Sequence, residues 1–577
     1  MACVLAAAAV ALGADCMGKP CYPGNEYCGT PFANAPTYHL MDQHGCGEND
    51  PNGPVFDPVH GVIHHFYQIH LASAPGHGPD YGHFVSKDFV NWAALPVAIW
   101  NGLDSSVWPP RVTPYDNEAI FTGSALVLDG AGPGGKGPGI VNIYPGLCNK
   151  NDWPGCTTGT LLAQAVPANY AGDELLTNWS KPKYNPIVES TQRDPSTPWK
   201  TPSGEWRLRT YDSMVYAAAS DADLLAGKWY TVGKSKDFRQ CECPSFYPLP
   251  PPTPGFEAAY EAARNGLPSH VHKTSCGGDW WQLGSYEAGA PKQLGNFTAT
   301  PGWEDLFTQR RIDVGGFYAS KDNLYPTKGS TVKRRINWGW AQVPPQSTQT
   351  LPREITFNAA TRTLEQAPIA EVEGLRASTA YSSGSVAIAP GLALPVGSDV
   401  VKCGEVVVEF ALPKAGSTAG TVYFGVSVGD PAAFGDVKRP AAAEDVSFAD
   451  ADYRPSPSRV ATTPALSCLF HWNPPTNKSA PYYEVPVSCG KLQDSLRVLT
   501  SASTVRLRLF LDATFIEAYF ENGRVAMTLD AALSSGAPKL ALTSTVPSMH
   551  VESAAVYSMR SIWTTPEAVR NAPRVYQ

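Results

Sequence analysis

Short strand-like runs, each ended by Gly, Pro, Asn or Asp, recur along this chain and constrain its fold more than any other feature. Clear examples are 61–68, 82–86, 119–128, 139–144, 205–211, 280–286 and 336–342. With 53 Pro and 51 Gly among 577 residues, the runs are interrupted too often for long helices. Only 219–226 and 256–265 have a helical pattern. The sequence therefore predicts an all-β protein with many short antiparallel strands.

The strand pattern changes near 364–376, where we expect a domain boundary. Before it, the strands are separated by long, Trp-rich loops. After it, apolar and polar residues alternate more regularly, in 405–412, 420–428, 505–511 and 515–520. Such period-two runs are typical of strands with one buried face. They predict a C-terminal β-sandwich of about 200 residues, an ordinary size for one domain. No strict repeat in the first region specifies its architecture.

The N-terminus resembles a secretory signal. Residues 2–12 form a short apolar run, followed by the small residues Gly13 and Ala14, although the usual basic segment is missing. We expect residues 1–14 to be removed and the protein to be secreted or delivered to a vacuole; a wrongly assigned start is the alternative. The run is too short to span a bilayer, and no later stretch is long and apolar enough, so no membrane partner is expected.

The cysteines favour the same compartment. Of the 13, Cys3 lies in the predicted signal, which leaves an even number for disulfides, with a pairing that the sequence does not specify. Cys148 and Cys156 bracket a short loop, as do Cys468 and Cys489. Zinc binding is the alternative, but no pair of C-x-x-C motifs exists. Three N-x-S/T triplets add modest support for secretion; they begin at Asn178, Asn296 and Asn477.

The charge of the chain limits its partners. The formal net charge is −8 and no long basic run occurs, which argues against nucleic acid as a partner and against a polyanionic substrate. A neutral substrate fits better. The 15 Trp and 25 Tyr suit sugar-stacking surfaces, although aromatic residues are more often simply core.

Asp50 is the first of three acids in distinctive contexts. Hydrolysis of a glycosidic bond needs two facing carboxyl groups, one ionised and one protonated. Asp50 stands in the motif N-D-P-N-G (49–53), whose Pro and Gly fix a tight turn at a strand end. The alternative is a plain Asx-Pro turn with only local hydrogen bonds.

Asp194 is the second acid, between Arg193 and Pro195. An adjacent guanidinium lowers the pKa of a carboxyl group, so we expect Asp194 to stay ionised. A permanent carboxylate can accept hydrogen bonds from sugar hydroxyls but is a poor proton donor. The alternative is a surface turn with a weak ion pair.

Glu242 is the third acid, between Cys241 and Cys243. Phe246 and Tyr247 follow it. Apolar and sulfur-bearing neighbours would desolvate its carboxyl group, the condition for a general acid near neutral pH. The alternative is a Glu on the polar side of a strand, between two disulfide-bonded cysteines. None of the three motifs is decisive alone.

Taken in order, the three acids resemble the signature of glycoside hydrolase family 32, the invertases, inulinases, levanases and related fructosyltransferases. Other segments match the family in the same order, namely H-H-F-Y-Q (64–68), G-H-F-V-S-K-D (82–88), F-T-G-S-A (121–125), F-Y-A-S-K (317–321), R-R-I-N-W-G-W (334–340) and T-L-P-R-E (350–354). Asp512, Glu517 and Gly523-Arg524 lie in a family-like context. The resemblance runs from about Tyr38 to Thr528.

The resemblance implies a five-bladed β-propeller over 30–365, with an axial pocket, and a β-sandwich over 376–577. It implies a retaining hydrolase of terminal β-D-fructofuranosides such as sucrose or fructan. Asp50 would be the nucleophile, Glu242 the acid/base and Asp194 the stabiliser of the transition state. The fructosyl subsite would be shaped by Asn49, Gln68, Phe121, Ser124 and Arg193. No metal and no organic cofactor is implied.

Several positions depart from the family pattern. The usual W-M-N-D-P-N-G is here G-E-N-D-P-N-G (47–53), so an aromatic residue is replaced by Gly47. The Trp before G-H is Tyr81, the Asp after E-C-P is Ser245, and T-S-C-G-G-D (274–279) replaces the Asp and Lys of the plant sucrose enzymes. We expect these changes to lie around the leaving-group side, where a lost aromatic wall would admit a longer fructan or another acceptor.

Three alternatives to the hydrolysis of fructosides remain open. Fructosyl transfer to a sugar acceptor uses the same acids and differs only in what intercepts the intermediate. A non-catalytic carbohydrate-binding paralogue would bind sugar without turnover; the intact Asp50, Asp194 and Glu242 weigh against it. A related propeller glycosidase acting on arabinosides or xylosides also uses three acids, but the surrounding motifs are fructosidic.

Overall fold

A computed structural model describes residues 35–43, 47–71, 78–300, 310–344, 347–388, 392–414, 420–434, 463–473, 481–534, 536–547 and 549–576. The predicted signal 1–14 and Asn477 lie outside these ranges. Strands dominate the described residues, which confirms the all-β prediction. Among the described residues, no helix is long and apolar enough to cross a membrane.

Five antiparallel sheets follow one another in the first part of the chain, each built from consecutive strands. The first holds β1 (Glu48–Pro51), β2 (Val55–Asp57), β3 (Val62–Ile69), β4 (Asp80–Ser86) and β5 (Trp92–Ile99). A two-stranded hairpin, β6 (Leu103–Asp104) and β7 (Arg111–Val112), leads to the second sheet. The second holds β8 (Ala119–Ile120), β9 (Ser124–Asp129), β10 (Pro138–Leu147), β11 (Thr160–Pro167) and β12 (Trp179–Ser180).

The next three sheets have the same plan. The third holds β13 (Trp199–Lys200), β14 (Trp206–Arg209), β15 (Met214–Ala218) and β16 (Tyr230–Lys234). The fourth holds β17 (Glu242–Pro248), β18 (His270–Ser275), β19 (Asp279–Glu287), β20 (Asn296–Ala299) and β21 (Arg310–Arg311). The fifth holds β22 (Phe317–Thr327), β23 (Ser330–Ala341), β24 (Thr348–Gln349), β25 (Arg353–Asn358) and β26 (Thr363–Pro368).

Two larger sheets follow, and the chain passes back and forth between them several times. One holds β27 (Arg376–Ser383), β28 (Val386–Ile388), β30 (Cys403–Ala411), β35 (Thr504–Asp512), β36 (Phe515–Phe520), β37 (Val525–Asp530) and β39 (Met549–Met559). The other holds β29 (Leu392–Ala393), β31 (Val422–Gly429), β32 (Ala465–Trp472), β33 (Tyr482–Cys489), β34 (Leu492–Leu499) and β38 (Lys539–Ser544).

Helices are few and short in the described part of the chain. The α-helices are Asp221–Leu225, Glu257–Ala263, Ser398–Lys402 and Pro566–Asn571. The 3-10 helices are Pro114–Asp116, Pro133–Gly135, Arg264–Gly266, Ala370–Leu375 and Pro431–Ala433. The two predicted helical segments are confirmed, and both are decorations between strands.

One predicted strand is interrupted. The run 119–128 is not continuous but divides into β8 and β9 around Phe121, Thr122 and Gly123. The N–H of Phe121 still donates to Pro145 O of β10 at 2.9 Å, but its carbonyl accepts a hydrogen bond from Tyr81 Oη at 2.7 Å. A Cβ on Gly123 would lie 2.4 Å from the same Tyr81 oxygen, so the break requires glycine. Apolar content alone predicted a continuous strand and missed this contact.

The largest buried apolar cluster lies between the two large sheets and takes residues from both. In β30 the buried side chains of Val406, Val408 and Phe410 alternate with less buried neighbours. Buried and less buried side chains also alternate in strands of the opposite sheet. Burying such side chains contributes roughly 1.5–3 kcal/mol each and fixes the register, since a slip by one residue would expose the whole face.

The N-terminal segment is tied to the last part of the chain by a buried charged network. The backbone amides of Thr37 and Tyr38 donate to Asp512 at 2.6 and 2.9 Å. His39 Nδ1 lies 2.8 Å from Asp512 Oδ2, and its Nε2 lies 3.3 Å from Glu517 Oε1. Arg353 of the fifth sheet pairs with Glu517 at 3.2 Å. The network therefore connects both halves of the chain.

This network predicts a loss of stability at alkaline pH. Burial disfavours the charged form of His39, but the carboxylates of Asp512 and Glu517 outweigh burial and raise its pKa from 6.5 to about 8. The resulting stabilisation, about 2 kcal/mol, is fully present below pH 6.5 and is lost as the pH rises through 8. We expect the thermal midpoint to fall over this window in the parent protein. In His39→Gln this part of the pH dependence should disappear. The same slope of thermal midpoint against pH in this variant as in the parent would contradict the role of His39.

The disulfides account for most described cysteines. Cys148–Cys156 and Cys468–Cys489 close the short loops noted in the sequence, and Cys241 pairs with Cys276. A zinc site at Cys241 is therefore not compatible with its disulfide. Cys243 is free and buried, so the interpretation of Glu242 as a residue between two disulfide-bonded cysteines is wrong.

Candidate active site

The three acids lie at equivalent places in their sheets. Asp50 lies in β1 and Glu242 begins β17, and each of these strands is the first of its sheet in chain order. Asp194 lies shortly before β13, which is the first strand of the third sheet. Asp194 has a φ of 60°, a left-handed conformation that is uncommon outside glycine and typical of functional positions.

Cys243 brings the three acids together. Its backbone N–H donates to Asp194 Oδ2 at 3.2 Å, and its Sγ lies 3.6 Å from Asp50 Oδ2. Glu242 is its chain neighbour. Cys243 has a φ of 43°, which turns its amide and its thiol toward different carboxylates. The three acids are far apart along the chain, and in the folded protein Cys243 connects them.

Asp50 is half-buried and held by a hydroxyl group. Thr122 Oγ1 donates to Asp50 Oδ2 at 2.5 Å, and Gln68 Nε2 donates to Thr122 Oγ1 at 2.6 Å. Burial and the charges of Asp194 and Glu242 raise the pKa of Asp50 to about 7, against the lowering effect of the Thr122 hydrogen bond. The carboxyl group is thus oriented, and its charge is poorly solvated.

Asp194 differs from its sequence expectation. It is 3% exposed, and burial together with the charge of Glu242 raises its pKa to about 6. Arg193 and Lys321 act in the lowering direction, but burial outweighs them. Arg193 Nε is 3.8 Å from Asp194 Oδ2, while its Nη2 bonds to Glu242 Oε1. The prediction that Arg193 keeps the pKa of Asp194 low is therefore wrong in net effect.

Glu242 lies in a polar setting. Besides Arg193, Tyr318 Oη donates to its Oε2 at 2.7 Å. Phe246 packs with Phe238 and Phe297 inside the sheet, and the Tyr247 ring lies under Arg335. The aromatic residues that follow Glu242 in sequence therefore pack against other residues, and the described polar contacts of Glu242 come from Arg193 and Tyr318.

Three of the predicted subsite residues border the acids directly. Asn49 is half-buried, with its Oδ1 3.0 Å from His70 Nε2. Phe121 is also half-buried, beside Thr122. Arg193 has 36% of its side chain exposed, and its guanidinium lies 4.8 Å from the centre of the Tyr211 ring. These three side chains are available to a ligand.

Gln68 and Ser124 are more deeply buried than these three side chains. Gln68 is 8% exposed and reaches Asp50 through Thr122. Ser124 is fully buried and donates to Pro195 O at 2.7 Å, so it holds the turn that carries Asp194. Both positions support the acids from beneath.

A buried cation supports the same turn. Lys321 is 1% exposed, and its Nζ donates to Pro195 O at 3.0 Å and to Ser124 Oγ at 3.3 Å. Burial lowers its pKa, while nearby Cys243 and Asp194 act in the opposite direction. A positive charge beneath carboxyl groups favours their ionised forms.

Four of the departures from the family pattern have buried side chains. Tyr81 and Thr274 are fully buried, Ser245 is 3% exposed and Ser275 1%. These four side chains are packed inside their sheets, but Ser275 pairs with Glu242 across β17 and β18, so the expectation that the departures lie around the leaving-group side stays a prediction. Gly47 and Glu48, which stand where the family motif has Trp and Met, are the departures nearest to Asp50 in sequence.

The sequence analysis missed Thr122, Cys243, Tyr318 and Lys321 as contacts of the acids. Each lies in a segment that the resemblance had marked, namely F-T-G-S-A, E-C-P and F-Y-A-S-K. Their hydroxyl, thiol and ammonium groups within these segments were the available signal. Among the residues that the structure describes, no group of three or more His, Cys, Asp or Glu is arranged to hold a metal ion.

The chain is similar to several known proteins. Residues 39–368 match the family model described as "Glycosyl hydrolases family 32 N-terminal domain". The chain is 29% identical over 392 residues to a carrot protein, "Beta-fructofuranosidase, insoluble isoenzyme 1", covering 63% of this chain and 60% of the relative. It is 29% identical over 384 residues to a wheat "Fructan 6-exohydrolase", covering 59% and 58%.

The match to these two curated relatives thus spans 58–60% of their length. A solved structure, fructan 1-exohydrolase IIa from Cichorium intybus, superposes with a TM-score of 0.66 at 21% identity and covers 92% of this chain and 98% of that one. At this identity the superposition supports a common fold.

Proposed function

The chain belongs to glycosyl hydrolase family 32, whose N-terminal domain model matches residues 39–368, and from this premise we propose that it hydrolyses terminal β-D-fructofuranosides with retention of configuration. The substrate class is sucrose, fructan or both. The convergence of Asp50, Asp194 and Glu242 on Cys243 is the observation that carries the proposal. The names of the carrot and wheat relatives support the substrate class.

Asp50 acts as the nucleophile that attacks the anomeric carbon and forms a covalent fructosyl-enzyme intermediate. Its support is a fixed orientation: Thr122 binds one carboxyl oxygen at 2.5 Å and leaves the other free of this contact. With a pKa raised to about 7, Asp50 is a more basic carboxylate than an ordinary aspartate, which favours bond formation.

Glu242 protonates the leaving oxygen and then activates the water that releases fructose. Tyr318 and Arg193 hold its two oxygens, so the carboxyl group is oriented without apolar packing. Arg193 Nε also lies 3.8 Å from Asp194 Oδ2, so the fixed positive charge of Arg193 faces both carboxyl groups while Glu242 changes from acid to base.

Asp194 stabilises the oxocarbenium-like transition state by accepting hydrogen bonds from ring hydroxyls. Asn49, Phe121 and Arg193 contact the fructosyl unit, and Gln68 and Ser124 hold the acids beneath it. No metal or organic cofactor takes part in this scheme.

The architecture we propose is the one that the family implies. The five small sheets form a five-bladed β-propeller over residues 30–365, and the two large sheets form a β-sandwich over 376–577. Support comes from the repeated four- to five-stranded plan and from the apolar cluster shared by the two large sheets. Residues 1–14 act as a signal peptide, and the protein is secreted or vacuolar; the disulfides are consistent with such a compartment.

Product analysis tests the proposal. Purified protein is incubated with dilute and with concentrated sucrose, and the products are separated by chromatography. Equal glucose and fructose at both concentrations are the expected result. Excess glucose with new oligosaccharides would assign the chain to fructosyl transfer, and inertness toward sucrose, inulin and levan would reject catalysis on fructosides.

The charge of Lys321 is expected to contribute to the acidic limit of activity through Asp194. Because Lys321 lowers the pKa of Asp194, Lys321→Met should raise that pKa, and a higher pH is then needed to ionise Asp194. Because the pKa of Asp50, about 7, already places the acidic limb of the kcat/KM profile near neutrality, we expect this limb to become steeper and to move up by about half a pH unit. Lys321→Arg keeps the positive charge, so the acidic limb of its kcat/KM profile should lie closer to that of the parent. An acidic limb at the same pH in Lys321→Met would contradict this electrostatic role.

A further inference from the structure

The strand that carries Asp50 is bulged, so the sheet alone does not position the nucleophile. β1 pairs with β3 at Glu48↔Ile69 and again at Pro51↔Tyr67, with a register shift between the two pairs. Asn49 and Asp50 thus face a single residue of β3. In a bulge the ladder is locally disrupted, and the direction of its side chains depends on other contacts.

Gln349 supplies such a contact. This residue of β24 is fully buried, and its Nε2 donates to Asn49 O at 2.8 Å and to Glu48 Oε1 at 3.1 Å. Its Oε1 lies 3.3 Å from His65 Nε2. One carboxamide from the fifth sheet therefore holds the backbone immediately before Asp50.

Glu48 holds the same strand from its other side. It is 1% exposed, and its Oε2 accepts a hydrogen bond from the amide of Asp42. Its own carbonyl accepts one from Ser347 Oγ at 2.5 Å. The family motif has Met at this position, so a buried carboxyl group that binds Gln349 is a property of this chain.

We infer that Glu48 and Gln349 form a positioning pair that fixes the bulged segment and thereby the direction of attack by Asp50. Neither side chain touches the proposed substrate; both act through Asn49 and Asp50. The catalytic part of this inference rests on the proposed hydrolysis of fructosides. The fixation of the segment does not.

Gln349→Met is the direct test, since it keeps the length of the side chain and removes both N–H donors. A misplacement near 1 Å typically costs about 100-fold in rate, so we expect kcat on sucrose to fall about 10- to 100-fold. KM should change less than about threefold, because binding contacts are retained. Glu48→Gln leaves the bond to Asn49 in place and should show a smaller loss of kcat.

Asn358→Leu is the matched control. Asn358 is also a fully buried carboxamide that donates to a buried glutamate, Glu365, at 2.8 Å, but it lies in β25, outside the proposed site. The substitution Asn358→Leu should lower the thermal midpoint, while kcat per folded molecule stays within about twofold of the parent.

Hydrogen exchange separates the two claims. Amides of the peptide covering 47–53 should exchange at least about tenfold faster in Gln349→Met than in the parent and remain unchanged in Asn358→Leu. This readout decides the fixation even if the parent cleaves no fructoside, an outcome that would reject the proposed function alone. A kcat within twofold of the parent, or unchanged exchange at 47–53, would overturn the positioning role.

Discussion

Asp50→Ala should abolish turnover of both sucrose and activated aryl fructosides, with a loss on the order of 10,000-fold or more. Without the carboxylate no covalent intermediate forms, and the quality of the leaving group cannot compensate. Both substrates are assayed by initial rates with the same protein preparation. Residual cleavage of the aryl fructoside near the parental rate would exclude Asp50 as the nucleophile.

The stability of Asp50→Ala serves as its internal control. Burial and the neighbouring acids raise the pKa of Asp50, so the folded protein disfavours its charge at neutral pH. Removing the carboxyl group relieves this repulsion, and the thermal midpoint at pH 7–8 should equal or exceed that of the parent. An inactive protein with an undiminished midpoint shows that activity is lost by chemistry and not by unfolding.

Glu242→Gln should separate substrates by their leaving groups. Loss of a general acid costs on the order of 100- to 10,000-fold, and this cost falls on sucrose, whose leaving oxygen needs a proton. An activated aryl fructoside leaves without that proton, so its kcat/KM, which reports the first chemical step, should fall much less. Equal losses for both substrates would count against the acid role.

Glu261→Gln is a suitable control for this substitution. Glu261 lies in the helix Glu257–Ala263 with 63% of its side chain exposed. The same chemical change there should leave both substrates at the parental rate. Comparison of the two variants assigns the leaving-group effect to the position of Glu242.

The fold was predictable from the sequence where local patterning determines it. Turn residues and period-two alternation located the strands, since both signals act within a few residues. The break at Phe121 was not predictable, because it depends on Tyr81, a residue 40 positions away. Contacts of this kind are set by the packing of one strand on another, which a single sequence does not encode locally.

The site was predictable as a set of residues and not as an electrostatic arrangement. The resemblance pointed to Asp50, Asp194 and Glu242, but the neighbours of each acid in sequence were poor guides to its neighbours in space. Arg193 follows this pattern: it binds Glu242 more closely than Asp194. The chain neighbours of Glu242 pack into the sheet, and its partners come from other strands.

The covalent intermediate is the central claim, and trapping it on Glu242→Gln is the most direct measurement. With an activated aryl fructoside this variant should form the intermediate but hydrolyse it slowly, because the base that activates water is missing. Rapid quenching, digestion and mass spectrometry are expected to find one fructosyl residue on the peptide that contains Asp50. An adduct on another carboxylate, or turnover with inversion of configuration and no adduct, would contradict the proposed mechanism.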